Sequence, residues 1–179
     1  MTNFPDILDL YSPARISKHV EDYPDELLHG TARTPWPELQ GMVGIFFTSR
    51  SGSTALARLA ERHFTVERVG ETLNAPTLQR VVGRRSLDSM QAALKWNIRT
   101  GSPAGWYLFK SGGAGLLNAA RIGFLDQYGG AIRPIFLLRQ DLVGQALSIF
   151  LARNSGQFHS TRPGDRAVTD ADFDRRRIE

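Results

Sequence analysis

Residues 46–56 read FFTSRSGSTAL, and this stretch decides how the chain folds. The apolar run from Met42 to Phe47 predicts a buried strand, and the helical spacing of apolar residues after Thr54 predicts a helix. A polar turn therefore connects a strand directly to a helix. The first N–H groups of a helix have no internal partners, and the helix dipole adds partial positive charge there. This arrangement predicts an anion site.

The turn itself is built from residues that donate hydrogen bonds to anions. They are Arg50, Ser51, Gly52, Ser53 and Thr54. The arginine supplies a fork of N–H donors, the glycine permits close approach of the backbone, and the hydroxyls are short donors. We expect these five residues to bind a phosphate or a sulfate. The alternative is an ordinary helix start capped by a serine.

The turn lacks the two best-known nucleotide fingerprints. The triphosphate loop requires G-x-x-x-x-G-K-[ST], but Phe47 stands five residues before Gly52 and Ser53 occupies the lysine position. The dinucleotide motif G-x-G-x-x-G is also absent. The cation instead precedes the glycine, at Arg50, which favours a different phosphate ligand on a related scaffold.

Composition indicates an ordinary globular protein of one domain. The chain has 179 residues, of which 41% are hydrophobic and 22% charged, and it contains no cysteine. We find no run long enough to span a membrane and no secretory signal, so we expect a cytoplasmic protein. The four scattered histidines lack metal-ligand spacing, so no metal is expected. The net charge of +4 fits either a solvated surface or a basic cleft for an anionic ligand. Nucleic acid is disfavoured because aromatic and basic residues do not interleave.

Strand and helix patterns alternate along the chain. Strands are predicted over 42–47, 64–69, 106–110 and 132–138. Helices are predicted after the turn and over 87–99, 114–128 and 141–153. This alternation predicts an α/β domain of three layers, in which helices flank a mostly parallel sheet. Residues 1–40 are interpreted as an N-terminal extension with a short helix near 13–20, and residues 41–179 as the domain.

A second strand–helix junction repeats the pattern of the first. The apolar strand before Arg139 ends at that residue, and a helix follows from Asp141. The carboxyl ends of parallel strands share one edge of a sheet, so Arg139 and Arg50 should face the same crevice. Ser148 lies on the following helix. A surface ion pair with Asp141 is the alternative for Arg139, and an unremarkable helix serine is the alternative for Ser148.

Taken in order, these motifs resemble a known family. The segment Arg50–Thr54, the pair Gly70-Glu71 and the pattern Arg139-x-Asp141-x-x-x-Gln145-Ala146-x-Ser148 resemble bacterial carbohydrate sulfotransferases of the trehalose 2-sulfotransferase type, over roughly residues 42–160. The resemblance implies a P-loop NTPase-like sulfotransferase fold. It also implies transfer of a sulfuryl group from 3′-phosphoadenosine 5′-phosphosulfate (PAPS) to a hydroxyl of a carbohydrate or similar metabolite. A homodimer is a further implication.

The resemblance also assigns roles to donor-binding residues. Arg50 to Thr54 would bind the 5′-phosphosulfate, while Arg139 and Ser148 would bind the 3′-phosphate. Arg50 would in addition stabilise charge on the leaving phosphate. Lys110, at the end of a strand, would contact the sulfate or the acceptor, with a lysine reaching water as the alternative.

The catalytic base is where the chain departs from the family. The family pattern is Gly-Glu-Pro-x-Glu with the second Glu as base, but Asn74 occupies that position here. Glu71 matches the first Glu and is the best candidate for the base, with a solvated loop carboxylate as the alternative. His159 is a weaker candidate.

Members of the family continue beyond the point where this sequence ends, so the resemblance implies a fold truncated at the C-terminus. Two functions stay open: an active sulfotransferase, and a catalytically impaired module that binds PAPS or its product PAP. A small-molecule kinase is disfavoured by the absent Gly-Lys pair.

Overall fold

The computed structural model describes residues 23–31, 34–66, 69–157, 164 and 167. The helix predicted near residues 13–20 and the candidate base His159 lie outside these ranges. The chain forms two compact units. The sheet unit comprises residues 1–47 and 52–137, and the C-terminal unit comprises residues 48–51 and 138–179.

A parallel three-stranded sheet forms the centre of the sheet unit. Its strands are β1 (Gly41–Phe47), β2 (Trp106–Ser111) and β3 (Ile132–Leu137), in the order β2–β1–β3. The central position of β1 explains its continuous apolar sequence, since a strand covered on both faces needs apolar side chains in both directions. The carboxyl ends of β1 and β3 are neighbours, because Phe47 pairs with Leu137.

Helices of the sheet unit pack on both faces of β1. They are α1 (Ser53–His63), α2 (Ala75–Arg85), α3 (Met90–Gly101), α4 (Gly113–Arg121) and α5 (Phe124–Tyr128). Successive side chains of a strand point to opposite faces. Met42 and Phe46 therefore share one core with residues of α2 to α5, whereas Ile45 packs with Ala57 and Ala60 of α1. The predicted α/β class, with a parallel sheet and flanking helices, is confirmed.

The strand predicted over 64–69 is wrong for the residues that the structure describes. Residues 64–66 and 69 are not in a strand, and the Phe64 side chain is 65% exposed. The N–H of Val69 donates to Glu61 Oε1 over 2.7 Å, so a side chain of α1 takes the donor that a neighbouring strand would have used.

Two helix predictions also change. The helix α2 was not predicted, although it begins after Asn74 with Pro76 in its first turn, where proline is tolerated. The helix predicted over 114–128 is divided into α4 and α5. The break occurs at Gly123, whose φ of 79° is left-handed and incompatible with a continuous α-helix.

The C-terminal unit contains one described helix, α6 (Leu142–Ser155). Asp141 caps it, since one carboxylate oxygen accepts a hydrogen bond from the N–H of Gly144 over 2.7 Å. In the described ranges, no helix combines the length and the apolar character needed to cross a membrane.

Candidate functional site

Gln145 fixes the segment that follows β1. It lies on α6, and its side chain is buried, with 7% of its surface exposed. Its Nε2 donates to Thr48 Oγ1 over 2.8 Å and to the Ser49 carbonyl oxygen over 2.6 Å. In the sequence, Gln145 is part of a motif and has no predicted role. Its buried amide holds residues 48–49 against α6.

The next residue, Arg50, has an unusual backbone conformation. Its φ of 65° is left-handed, which is uncommon for a residue with a side chain and is concentrated at functional sites. Its Nε donates to Ser148 Oγ over 2.7 Å, and Arg139 Nη1 donates to its carbonyl oxygen over 3.4 Å. The structure therefore brings Arg50, Arg139 and Ser148 together within the C-terminal unit. Ser148 contacts the Arg50 side chain.

Asp141 is the carboxylate beside the Arg139 guanidinium. Arg139 Nη2 lies 3.0 Å from Asp141 Oδ2, so the ion pair that was the alternative role for Arg139 is formed. The backbone hydrogen bond from Gly144 and the hydrogen bond from Arg139 hold the pKa of Asp141 below its usual value. Asp141 therefore offsets part of the charge of the Arg139 guanidinium.

The last residue of the segment, Ser51, has a buried hydroxyl without a hydrogen-bond partner in the described part of the chain. A buried polar group without a partner is costly, and its presence in a native protein calls for a reason. A ligand that accepts a hydrogen bond from Ser51 would supply that reason.

The start of α1, in the sheet unit, also has unused donors. The N-cap is Gly52, with φ 90°, and no side chain caps the helix, so the serine-capped alternative is wrong. The first backbone hydrogen bond of the helix runs from Ala55 N to Gly52 O over 2.9 Å. In the described chain, the N–H groups of Gly52, Ser53 and Thr54 have no backbone acceptor. A Cβ on Gly52 would meet nothing within 4 Å, so the space beside it is open.

Lys110, on β2, brings an ammonium group to this helix start. Its Nζ donates to Thr54 Oγ1 over 3.1 Å and lies 3.2 Å from Glu71 Oε1. It also lies 5.3 Å from the centre of the Phe47 ring. Only 9% of the lysine side chain is exposed, so the alternative of a strand-end lysine reaching water is wrong. The ammonium group of Lys110 thus lies beside the start of α1, although the turn sequence itself contains no lysine.

Glu71 is held from two sides. Lys110 contacts Oε1, and Asn74 Nδ2 donates to Oε2 over 2.6 Å. The Glu71 side chain is still 38% exposed, so it is both paired and accessible to a solute. From the sequence, Asn74 was noted only because it occupies the position of the family's catalytic base. Its position three residues after Glu71 allows contact across a turn, and this spacing was the one available signal.

The residues therefore form two groups, one in each unit. The C-terminal unit holds two guanidinium groups and two hydroxyls, from Arg50, Arg139, Ser51 and Ser148. Gly52, Ser53, Thr54, Lys110 and Glu71 lie in the sheet unit, and they add helix N–H groups, an ammonium and a carboxylate. Within the described ranges, no three His, Cys, Asp or Glu side chains gather as metal ligands would. Comparisons with protein-family models, curated proteins and solved structures gave no match.

Proposed function

We propose that the protein binds PAPS and transfers its sulfuryl group to a hydroxyl of a carbohydrate or a similar metabolite. The observation that carries the proposal is a run of donors without a partner in the described part of the chain, namely the Ser51 hydroxyl and the N–H groups of Gly52, Ser53 and Thr54, which follow the left-handed Arg50. Donors that the protein does not satisfy itself are available to an anion. The resemblance of the ordered motifs to carbohydrate sulfotransferases selects PAPS among the possible anions.

Each donor would bind one part of PAPS. Arg50 to Thr54 would bind the 5′-phosphosulfate, and Arg139 with Ser148 would bind the 3′-phosphate that distinguishes PAPS from ordinary adenylates. The hydrogen bond from Arg139 Nη1 to the Arg50 carbonyl oxygen supports the proposal, because it brings the Arg139 side chain beside the backbone of Arg50. A guanidinium can hold a phosphate with two parallel hydrogen bonds, which makes arginine well suited to such sites.

The transfer is an in-line displacement at sulfur. The acceptor oxygen forms a bond to sulfur while the bond from sulfur to the 5′-phosphate oxygen breaks, and the phosphate leaves with the electron pair. Glu71 would take the proton of the acceptor hydroxyl. Lys110 and Arg50 would stabilise the negative charge that moves onto the phosphate, so positioning and electrostatics carry most of the rate.

A second candidate function is binding of PAP or PAPS without transfer. It is favoured by one observation, namely that both oxygens of Glu71 already accept contacts from Lys110 and Asn74. Each carboxylate oxygen has two lone pairs, so one on each remains for a proton. Transfer requires that remaining lone pair to take up a proton, whereas binding alone does not require it.

Transfer of radiolabelled sulfate from PAPS to a panel of sugars tests the proposal. We expect labelled product with the wild-type chain and a loss of about 100-fold or more in Glu71→Gln, the range for removing a general base. Glu26→Gln, an exposed glutamate in the sheet unit, is the matched control and should transfer normally. Normal turnover by Glu71→Gln would end its role as base. Tight binding of PAP without any transfer would establish the second candidate instead.

A further inference from the structure

The turn that carries Glu71 is tied to the core by two buried tyrosines. Tyr23 donates its hydroxyl hydrogen to the Leu73 carbonyl oxygen over 2.6 Å, and Tyr107 donates to Thr72 Oγ1 over 2.8 Å. The two rings are 1% and 2% exposed. Burial raises the pKa of both hydroxyls far above their usual value, so both remain donors at any working pH. The two tyrosine hydrogen bonds therefore hold the turn at residues 71–74 in place.

Asn74 ends this turn and makes unusual use of its side chain. It is the N-cap residue of α2, a position where asparagine normally accepts a hydrogen bond from its own helix. No such side-chain bond is formed, and Nδ2 donates to Glu71 Oε2 over 2.6 Å. Room for the amide comes from Gly115 on α4, where a Cβ would lie 3.0 Å from Asn74 Oδ1. The Asn74 amide therefore hydrogen-bonds to Glu71 and does not cap α2.

We propose that Asn74 is a positioning residue that orients the Glu71 carboxylate for proton transfer. The inference rests on the proposed function, in which Glu71 is the base. Lys110 holds Oε1 and Asn74 holds Oε2, so the plane of the carboxylate is fixed before an acceptor arrives. The charged side chain that contacts Glu71 in the described chain is Lys110 alone. Asn74 therefore orients the Glu71 carboxylate without adding a charge beside it.

Asn74→Asp is the sharpest test. Aspartate has the same shape and caps helices as well as asparagine, so α2 should keep its start. It cannot donate to Glu71 and places a like charge beside it. We expect kcat for sulfuryl transfer to fall about 10- to 100-fold, as expected for a displaced catalytic group. The acidic limb of the kcat–pH profile should move about one unit to higher pH, because a second carboxylate favours the protonated form.

Four further measurements separate positioning from a structural role. PAP affinity by calorimetry and the melting temperature should match those of the wild type. Asn154→Asp is the same substitution at a site where the amide donates to the Phe150 carbonyl oxygen of its own helix, and it should change neither kcat nor the pH profile. Gly115→Ala would place a Cβ 2.8 Å from Ser111 Oγ and 3.0 Å from Asn74 Oδ1. It should lower kcat about tenfold by crowding these groups, without the pH shift because it adds no charge.

The outcomes are distinct. A wild-type chain that transfers no sulfate overturns the proposed function, and this inference with it. A wild-type chain that transfers sulfate, while Asn74→Asp keeps normal kcat and an unmoved acidic limb, overturns the positioning role alone. If Asn74→Asp lowers the melting temperature and the PAP affinity but leaves the acidic limb of the kcat–pH profile in place, Asn74 has only a structural role.

Discussion

Replacement of Gln145 by leucine would test whether the anion-binding segment is organised before a ligand arrives. The Gln145 amide donates to Thr48 Oγ1 and to the Ser49 carbonyl oxygen, immediately before Arg50. Leucine is a strong helix former of similar size, and the site is 7% exposed. The substitution should therefore leave α6 intact and remove the two hydrogen bonds.

The expected loss follows from those two bonds. A buried hydrogen bond contributes about 0.5–1.5 kcal/mol net, so the pair holds the segment by about 1–3 kcal/mol. If PAP requires the held conformation, its affinity falls by the same free energy, which corresponds to a Kd about 5- to 150-fold higher. The free energy of unfolding should decrease over the same range.

Calorimetric titration with PAP, together with circular dichroism, measures the effect. Gln140→Leu is the matched control, because Gln140 is an exposed glutamine just before α6 and should tolerate the change. A Gln145→Leu variant that is less stable than the wild type but binds PAP with unchanged affinity would contradict the expected link between the Gln145 hydrogen bonds and PAP binding. The segment would then need no support from α6.

Three other substitutions give separate expectations. Ser51→Ala removes a buried hydroxyl without a partner in the described chain, so melting should show unchanged or up to about 1 kcal/mol higher stability while PAP affinity falls. Arg139→Ala should weaken PAP by about 10- to 100-fold and leave AMP affinity nearly unchanged in competition assays, with Arg153→Ala as the exposed arginine control. The pKa of Asp141 is held below its usual value of 3.8, first by the Gly144 N–H and then by Arg139, so its stabilisation is present above that value and is lost as pH falls through the lower folded-state pKa. Melting curves recorded below about pH 4 should show this loss of stability, and the stability of Asp141→Asn should depend less on pH over the same range.

The central strand and its turn were predictable because their signals are local. Met42 to Phe47 is apolar without interruption, and β1 extends over those residues. The contact of Arg139 with Arg50 was predictable from a rule of topology, since parallel strands end at one edge of the sheet. By contrast, residues 64–69 have the aromatic and β-branched composition of a strand, yet composition cannot supply a partner strand.

The support for Glu71 could not be predicted in the same way. Lys110 is 39 positions from Glu71 and reaches it because the N–H of Lys110 on β2 donates to the carbonyl oxygen of Gly70, the residue before Glu71, over 3.1 Å. Asn74 looked like the loss of a base, because a single sequence does not show which acceptor its amide will meet. Contacts of this kind depend on side-chain directions that the fold sets, not on local patterns.

We propose that the chain recognises the 3′-phosphate of PAPS as well as its 5′-phosphosulfate. Calorimetric titration of the wild-type chain with PAP and with AMP tests it most directly, since the two ligands differ at the 3′ position. Charge-assisted hydrogen bonds contribute about 1.5–3 kcal/mol, so we predict that PAP binds about 10- to 150-fold more tightly than AMP. Equal affinities for PAP and AMP would contradict the account.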